Sequence, residues 1–169
     1  YLAFEATPFA PELLKAVRAA GFPSPSPVQA QAWPLAMAGH DLISIAKTGS
    51  GKTLGFLCPA FSRIAEQRPR FGAGAMRAGD APLALVLAPT RELAAQIYEE
   101  SVKFCYCTGV RPVVVYGGAE ARDQLRELNR GCDLLVATPG RLVNLTERGC
   151  VALTRCSVVF FDEGCRLFC

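Results

Sequence analysis

The chain has 169 residues, of which 51% are apolar, and carries a formal net charge of +3. This length fits one domain with a buried core, and the weak positive charge permits a nucleic-acid partner without requiring one. No apolar run reaches the roughly 20 residues of a membrane-spanning helix, and no N-terminal segment has the make-up of a secretory signal. We therefore expect no membrane association and an intracellular location, in the cytoplasm or the nucleus.

The first 40 residues predict two helices joined by a stiff connector. Residues 10–21 have apolar side chains at helical spacing and end on a glycine. A proline-spaced connector, residues 22–29, follows. Residues 29–39 predict a second short helix with Pro34 near a kink.

The next segments predict a strand, a glycine loop and a long helix. Residues 41–46, DLISIA, predict a short buried strand that feeds the glycine loop, and residues 52–67 predict the helix after it. Residues 66–82 are rich in Gly, Ala, Pro and Arg and predict an exposed loop.

Strands and helices then alternate along the chain. Strands are predicted over residues 83–88, 111–118, 133–138 and 157–163, and helices over residues 90–106, 119–131 and 140–149. This alternation indicates an α/β fold with a mainly parallel sheet covered by helices on both faces. Ligands of such sheets bind at the carboxyl ends of the strands, where the polar clusters of this sequence lie.

The segment AKTGSGKT, residues 46–53, has the pattern of a phosphate-binding loop with alanine in place of its first glycine. Gly49 and Gly51 allow a tight turn that directs N–H groups at phosphate oxygens, and the following helix adds its positive dipole end. Lys52 can reach the β- and γ-phosphates, and the Thr53 hydroxyl can bind Mg²⁺. The alternative is a glycine-rich turn with an incidental lysine.

An acidic pair supplies the second part of such a site. Asp162 and Glu163 follow four apolar residues of the last predicted strand. Asp162 would hold Mg²⁺, and Glu163 would orient and deprotonate the attacking water. Without the phosphate loop, the same pair would indicate an acidic strand end that begins a turn.

The eight cysteines give no zinc-binding pattern. Cys105 and Cys107 are two positions apart, and Cys165 and Cys169 are four apart. Neither pair completes a zinc quartet with His40, the single histidine. We expect reduced thiols, most of them serving as small apolar residues.

Taken in order, the motifs resemble the first RecA-like domain of the DEAD-box RNA helicases. GFPSPSPVQ resembles the Q motif, AKTGSGKT motif I, PTRELA motif Ia, YGG the GG element, ATPGRL motif Ib, and DEGC lies where the family has D-E-A-D. The Vasa-containing subgroup looks most similar. The resemblance implies a Q-motif region over residues 1–40, packed on a RecA-like P-loop NTPase domain over residues 41–169.

The resemblance implies a Mg-ATP site. Gln29 would read adenine, because an amide donates to one edge atom of that base and accepts from another. Phe22 would stack on the base. Without the resemblance, Gln29 is equally a polar residue at a helix start. The expected nucleotide-binding residues are Phe22, Gln29, Thr48, Gly49, Ser50, Gly51, Lys52 and Thr53, with Thr53 and Asp162 on the metal and Lys52, Asp162 and Glu163 in catalysis.

The resemblance also implies sequence-independent contacts with the backbone of single-stranded RNA. Two helix starts and a glycine turn would place N–H groups and two arginines along the phosphates. The expected RNA contacts are Pro89, Thr90, Arg91, Gly117, Gly118, Thr138, Gly140 and Arg141. Each turn taken singly is equally a capped helix start, and Arg91 could equally pair with Glu92.

The sequence departs from the family at Gly164 and Cys165, where the tetrad ends in Ala-Asp. A thiol is a weak hydrogen-bond partner, so we expect weaker coupling of hydrolysis to RNA. The Ser-Ala-Thr motif and the second RecA-like domain are not within these residues. We expect an RNA-helicase motor domain that binds ATP and RNA but is nearly inactive by itself. The alternatives are a decayed paralogue that binds without unwinding, and a different P-loop ATPase or kinase.

Overall fold

The computed structural model describes residues 1–68, 81–118 and 120–167. These residues form seven α-helices and four β-strands. The helices are α1 (Pro11–Ala19), α2 (Pro27–Met37), α3 (Lys52–Gln67), α4 (Arg91–Thr108), α5 (Ala121–Asn129), α6 (Pro139–Glu147) and α7 (Gly164–Leu167). The strands are β1 (Ala84–Leu87), β2 (Pro112–Val115), β3 (Leu134–Ala137) and β4 (Val158–Phe161).

The four strands make one parallel sheet in the order β2-β3-β1-β4. Successive strands are joined by helices, which is the connection that parallel pairing requires. The predicted α/β fold is therefore confirmed, and all four strands end at the same edge of the sheet.

Helices cover both faces of this sheet. Val86 and Val136 point to one face and pack with side chains of α1 to α4. Leu85 and Leu135 point to the other face and pack with α5 and α6. The continuous apolar runs of β1 and β3 follow from burial on both faces, since alternate residues of a strand face opposite ways.

The N-terminal region packs against α3 around Trp33, which is fully buried. The Trp33 ring lies 5.0 Å from the Phe9 ring, edge to face, and 6.1 Å from the Phe4 ring. Its indole Nε1 donates a 3.0 Å hydrogen bond to the Gly55 carbonyl of α3. Residues 1–40 thus share one core with the helix that follows the glycine loop.

A buried carboxylate ties together the opposite, amino-terminal edge of the sheet. Asp133 is fully buried and accepts a 2.7 Å hydrogen bond from the Arg111 backbone N–H. It also pairs with the Arg68 guanidinium at the end of α3. These bonds satisfy a charge that would otherwise be costly to bury.

The predicted strand over residues 41–46 is wrong. These residues, all of which the structure describes, form no strand. Ile43 and Ile45 are 93% and 96% exposed, whereas the prediction required burial. The physical reason is that a strand needs a partner for its backbone hydrogen bonds, and none of the described strands pairs with this segment. An apolar pattern cannot supply that neighbour.

The predicted loop over residues 66–82 mostly falls on residues 69–80, outside the described residues. Helix α3 spans Lys52–Gln67, which confirms the helix predicted over residues 52–67 and removes residues 66 and 67 from the loop. Ala81 and Pro82 lie outside helices and strands, as predicted, but they are buried, so the expected exposure is wrong there. Helix α2 continues through Pro34 to Met37. No helix in the described part of the chain is long and apolar enough to cross a membrane.

Candidate nucleotide and nucleic-acid site

Four of the predicted polar clusters lie along one edge of the sheet. The turn at 116–118 follows β2, the segment 138–141 follows β3, the segment 89–91 follows β1, and Asp162 and Glu163 follow β4. Because the strands are parallel and ordered β2-β3-β1-β4, these segments stand side by side in that spatial order. This placement confirms the expectation for these four clusters; the glycine loop follows residues 41–46, which form no strand, so the sheet order does not assign it to this edge.

The glycine loop has the turn geometry that a phosphate cradle needs. Gly49 and Gly51 have φ values of +77° and +87°, in the left-handed region that favours glycine. Gly51 is the N-cap of α3, so the first N–H groups of this helix lie at the loop and have no acceptor within the helix. A Cβ on Gly51 would lie 2.6 Å from Gln29 Nε2, so a side chain at this position would displace Gln29.

Lys52 points back to its own loop in this structure. Its Nζ donates a 2.9 Å hydrogen bond to the Ala46 carbonyl. Its charge also lies near enough to Asp162 to oppose the rise in the pKa of that carboxyl. The ammonium group is thus bonded to the start of the loop, and its charge acts on Asp162.

Gln29 joins the N-terminal region to the glycine loop and is 1% exposed. Its Oε1 accepts a 2.9 Å hydrogen bond from the Ser26 N–H, and its Nε2 donates a 2.9 Å hydrogen bond to the Gly51 carbonyl. The first bond is half of a capping box at the start of α2. Gln29 is therefore both the helix-start residue of the alternative interpretation and a direct contact of the loop.

Phe22 and Thr53 are half-buried, and Thr48 and Gly49 are exposed. Phe22 packs against the main core cluster.

The acidic pair follows β4 as predicted. Asp162 is 9% exposed, and its Oδ1 accepts a 3.0 Å hydrogen bond from the Glu163 N–H. Burial raises the pKa of the Asp162 carboxyl, and the Glu163 N–H and the Lys52 charge partly oppose that rise. A cation beside this carboxylate would compensate the burial, as a metal ion does.

Glu163 has an unusual backbone. Its φ is +51°, the single positive value of a non-glycine residue among the described ones. Such residues cost about 1 kcal/mol or more and cluster at functional sites. The Glu163 carboxylate accepts a 3.0 Å ion-pair hydrogen bond from Arg166 and is 39% exposed. The turn therefore presents this carboxylate to solvent next to Asp162.

The loop fits a nucleoside triphosphate with Mg²⁺. Ser50 Oγ is buried without a hydrogen-bond partner among the described residues, so it can bind a polar ligand, whereas Ser26 Oγ belongs to the capping box at the start of α2. A cleft of about 560 Å³ opens between the loop and α2 and includes both serines in its lining. No three metal-ligating side chains cluster in the described part of the chain. One hydroxyl and one carboxylate suit Mg²⁺ that shares substrate phosphates, rather than a metal bound by protein ligands alone.

Arg91 and the start of its helix lie beside the turn at 116–118, the glycine turn. Thr90 caps α4, since its Oγ1 accepts a 3.2 Å hydrogen bond from the Leu93 N–H. Arg91 Nε donates to Glu92 Oε1 at 2.6 Å, which is the pairing of the alternative interpretation. Both side chains are more than 60% exposed, so the pair is weak and exchangeable. A Cβ on Gly118 would lie 3.6 Å from Arg91 Nη1, which brings the two elements together.

The segment after β3 presents a second helix start to the same edge. Pro89 and Thr138 are half-buried, and Gly140 and Gly117 are exposed. A Cβ on either of these two glycines would meet no atom within 4 Å, so their surroundings are open. Thr138 is the N-cap of α6, and its backbone N–H donates to the Val115 carbonyl at 3.1 Å.

The sequence analysis missed one residue at this edge. Gln124 of α5 hydrogen-bonds to the backbone of Tyr116 and to the guanidinium of Arg141. No sequence signal marks it, because a glutamine on a polar helix is typical of a solvent-facing position.

Seven cysteines lie in the described residues and all are free thiols. Cys165 is exposed in α7, directly after the acidic pair. Cys169 lies outside the described residues.

Comparison with known proteins identifies relatives of this arrangement. Residues 26–167 match the family model described as "DEAD/DEAH box helicase". DEAD-box ATP-dependent RNA helicase 14 of Arabidopsis thaliana is 49% identical over 166 residues, which cover 98% of this chain and 26% of the relative. ATP-dependent RNA helicase p62 of Drosophila melanogaster is 45% identical over 155 residues, which cover 92% and 21%. The chain thus spans about a quarter of the length of these relatives.

Solved structures share the fold. The crystal structure of the RNA helicase Prp28 from Chaetomium thermophilum bound to ADP matches with a TM-score of 0.86 and 39% identity, covering 98% of this chain and 39% of that one. Yeast Prp28, a DEAD-box splicing factor, matches with a TM-score of 0.84 and 30% identity. These matches confirm the RecA-like fold expected from the resemblance.

Proposed function

Because this chain belongs to the DEAD/DEAH box helicase family, we propose that it is the ATP- and RNA-binding motor domain of an ATP-dependent RNA helicase. In the whole protein, ATP hydrolysis by this domain would drive the unwinding of RNA duplexes. A P-loop kinase or an unrelated ATPase does not account for the family match across residues 26–167.

The observation that carries the proposal is the joint placement of Gln29, Lys52 and Asp162. Gln29 donates a hydrogen bond to the Gly51 carbonyl of the loop, and the positive charge of Lys52 acts to lower the pKa of the buried Asp162 carboxyl, which follows β4. These contacts support a single site in which neighbouring residues would recognise adenine, bind phosphate and hold the metal.

Lys52 and the loop would bind the phosphates. The Lys52 ammonium would leave the Ala46 carbonyl for the β- and γ-phosphate oxygens, where a charge-assisted hydrogen bond is stronger. Backbone N–H groups of Thr48 to Thr53 would cradle the same oxygens. Gln29 has one amide hydrogen and one oxygen lone pair beyond the bonds it makes here, which are the groups needed for adenine, and Phe22 would stack on that base.

Asp162 and Glu163 would have different roles, in metal binding and in activation of water. Mg²⁺, when bound, neutralises phosphate charge as it develops in the reaction. The Thr53 hydroxyl and the Asp162 carboxylate would hold the ion. Glu163 would orient the attacking water and accept its proton, and its exposed turn places the carboxylate where water reaches it.

The segments after β2, β3 and β1 would bind the RNA backbone. Their spatial order puts the glycine turn, Arg141 and Arg91 in one row at the carboxyl edge. N–H groups at the starts of α4 and α6 and the two guanidinium groups suit phosphate oxygens rather than base edges. We therefore propose binding that does not depend on RNA sequence.

A second RecA-like domain would complete the motor. We propose residues 1–40 as a Q-motif region and residues 41–169 as part of the ATP-binding domain, supported by the shared core around Trp33. Gly164 and Cys165 would weaken the coupling of hydrolysis to RNA. The family match runs through both residues, so the comparisons do not favour the alternative of a decayed paralogue. The intracellular location stays a prediction from the sequence.

Binding to fluorescent single-stranded RNA, titrated at several salt concentrations, tests the RNA part of the proposal. Arg91→Ala and Arg141→Ala should each weaken binding and flatten the slope of log K against log salt by about 0.7, the value for one phosphate contact on a single strand. Arg148→Ala is the matched control, because Arg148 is exposed at the opposite end of α6. Unchanged affinity and slope in both test variants would place any RNA site elsewhere.

A further inference from the structure

The side chain of Gln124 connects two of the segments proposed to bind RNA. Gln124 lies on α5 and is half-buried. Its Nε2 donates a 3.0 Å hydrogen bond to the Tyr116 carbonyl, and its Oε1 accepts a 3.3 Å hydrogen bond from the Tyr116 N–H. One amide therefore pairs with both backbone groups of one residue, as a neighbouring strand would.

Tyr116 is the residue that sets the direction of the glycine turn. It follows the end of β2 and precedes Gly117 and Gly118, which are exposed. Gly118 has a φ of +81° and lies beside Arg91 Nη1. Fixing the backbone of Tyr116 therefore fixes where the turn and its N–H groups stand relative to Arg91.

The same amide oxygen holds Arg141. Arg141 Nε donates a 3.2 Å hydrogen bond to Gln124 Oε1, across 17 positions of sequence. Arg141 Nη2 is buried and has no hydrogen-bond partner among the described residues. A guanidinium is a planar fork on a flexible stem, so one anchored nitrogen orients the remaining donors. With Gln124 in place, the Arg141 fork is oriented through Nε, and its Nη2 still has no partner among the described residues.

We propose that Gln124 is a positioning residue for the RNA backbone, which sets the glycine turn after β2 and the Arg141 guanidinium in one rigid arrangement. This inference rests on the proposed RNA site. Gln124 itself does not touch RNA, since both ends of its amide are engaged within the protein. It acts by ordering the turn and the Arg141 side chain before RNA binds, which lowers the conformational entropy lost on binding.

RNA affinity of Gln124 variants tests this inference. Gln124→Met keeps the length of the side chain and removes all three hydrogen bonds. It should weaken binding to a fluorescent oligouridylate about tenfold, the loss expected from about 1.4 kcal/mol. Affinity for Mg-ATP should stay within about twofold, because the glycine loop leads into α3, which packs against β1 and β4, whereas Gln124 bonds to Tyr116 after β2. Gln96→Ala is the control, an exposed glutamine change on α4.

A double-mutant cycle separates positioning from general damage. In an Arg141→Ala background, Gln124→Met should weaken RNA binding less than about threefold, since part of what it positions is already gone. In the NMR spectrum of the otherwise unchanged protein, Gln124→Met should shift the Arg141 Nε–H signal and speed its exchange with water.

Three results would overturn the inference. If the wild-type chain binds no RNA, the proposed RNA site is wrong and the inference goes with it. If Arg141→Ala weakens RNA binding but Gln124→Met does not, the RNA site stands and the positioning role is refuted. If Gln124→Met weakens RNA and ATP binding equally, the residue supports the fold in general rather than the RNA site.

Discussion

Replacing Gln29 by alanine should destabilise the chain and reduce its preference for adenine at the same time. Gln29 is 1% exposed and makes two 2.9 Å hydrogen bonds, one at the start of α2 and one to the Gly51 carbonyl of the glycine loop. The substitution leaves the Ser26 N–H and the Gly51 carbonyl without these partners.

The magnitude follows from those contacts. Two hydrogen bonds contribute about 0.5–1.5 kcal/mol each, and losing half of a capping box lies in the same range. Adding the void left by the buried methylene and amide, we expect the free energy of unfolding to fall by about 2–4 kcal/mol. That is a large part of the about 5–15 kcal/mol by which a domain is stable.

Urea denaturation followed by Trp33 fluorescence measures the loss, with Gln31→Ala as the control. Gln31 is exposed on the same helix, and its replacement should change stability by less than about 0.5 kcal/mol. Competition of ATP and GTP against a labelled nucleotide then gives the ratio of the two affinities, and this ratio should fall toward one in Gln29→Ala. Equal stability of the two variants would refute the contacts described here, and an unchanged ATP-to-GTP ratio would refute adenine recognition by Gln29.

Three further predictions concern thiols, the buried carboxylate and turnover. At pH 8 a thiol reagent should modify the exposed Cys150 quickly and Cys58 only in urea. Burial raises the pKa of the Cys58 thiol and so lowers the fraction of reactive thiolate. Peptide mass spectrometry identifies the labelled cysteines, and rapid labelling of Cys58 in the folded chain would contradict the prediction. Asp133→Ala should lower the free energy of unfolding by about 2–4 kcal/mol, because it removes the buried acceptor of the Arg111 N–H and of the Arg68 guanidinium. Asp133→Asn keeps an acceptor and should cost less, and equal costs of the two variants in urea denaturation would argue against these bonds. Phosphate release from ATP by the 169-residue chain should stay near background, because an arginine supplied from elsewhere adds about 10³–10⁵ in rate in related enzymes. RNA-stimulated turnover by this chain that Glu163→Gln abolishes would overturn that expectation. When a second RecA-like domain is linked to the chain, Cys165→Asp should raise the RNA-stimulated rate more than the basal rate.

Local patterns were sufficient to predict most of the fold. The periodicity of residues 52–67 and the apolar runs of β1 and β3 are consequences of burial, so the sequence carries them directly. Residues 41–46 show the limit of that reasoning. Their apolar pattern matches a strand, but pairing depends on a neighbour that no local pattern contains.

The candidate site divides in the same way. The glycines of the loop and the pair Asp162–Glu163 are visible because their chemistry lies in contiguous residues. The contacts of Gln124 on α5 with Tyr116 after β2 and with Arg141 on α6 join residues 8 and 17 positions apart. Such contacts depend on the sheet order, which the sequence does not state.

Binding of Mg-ATP to Lys52→Ala tests the central claim most directly. A labelled ATP titrated into wild type, Lys52→Ala and the control Lys47→Ala, which changes an exposed lysine of the same loop, gives three dissociation constants. The account predicts that wild type and Lys47→Ala bind alike and that Lys52→Ala binds about 10–150-fold more weakly, the loss of one charge-assisted phosphate contact of about 1.5–3 kcal/mol. Adenosine should bind wild type and Lys52→Ala equally. Absence of Mg-ATP binding in wild type, or equal affinity of Lys52→Ala, would contradict a nucleotide site at this loop.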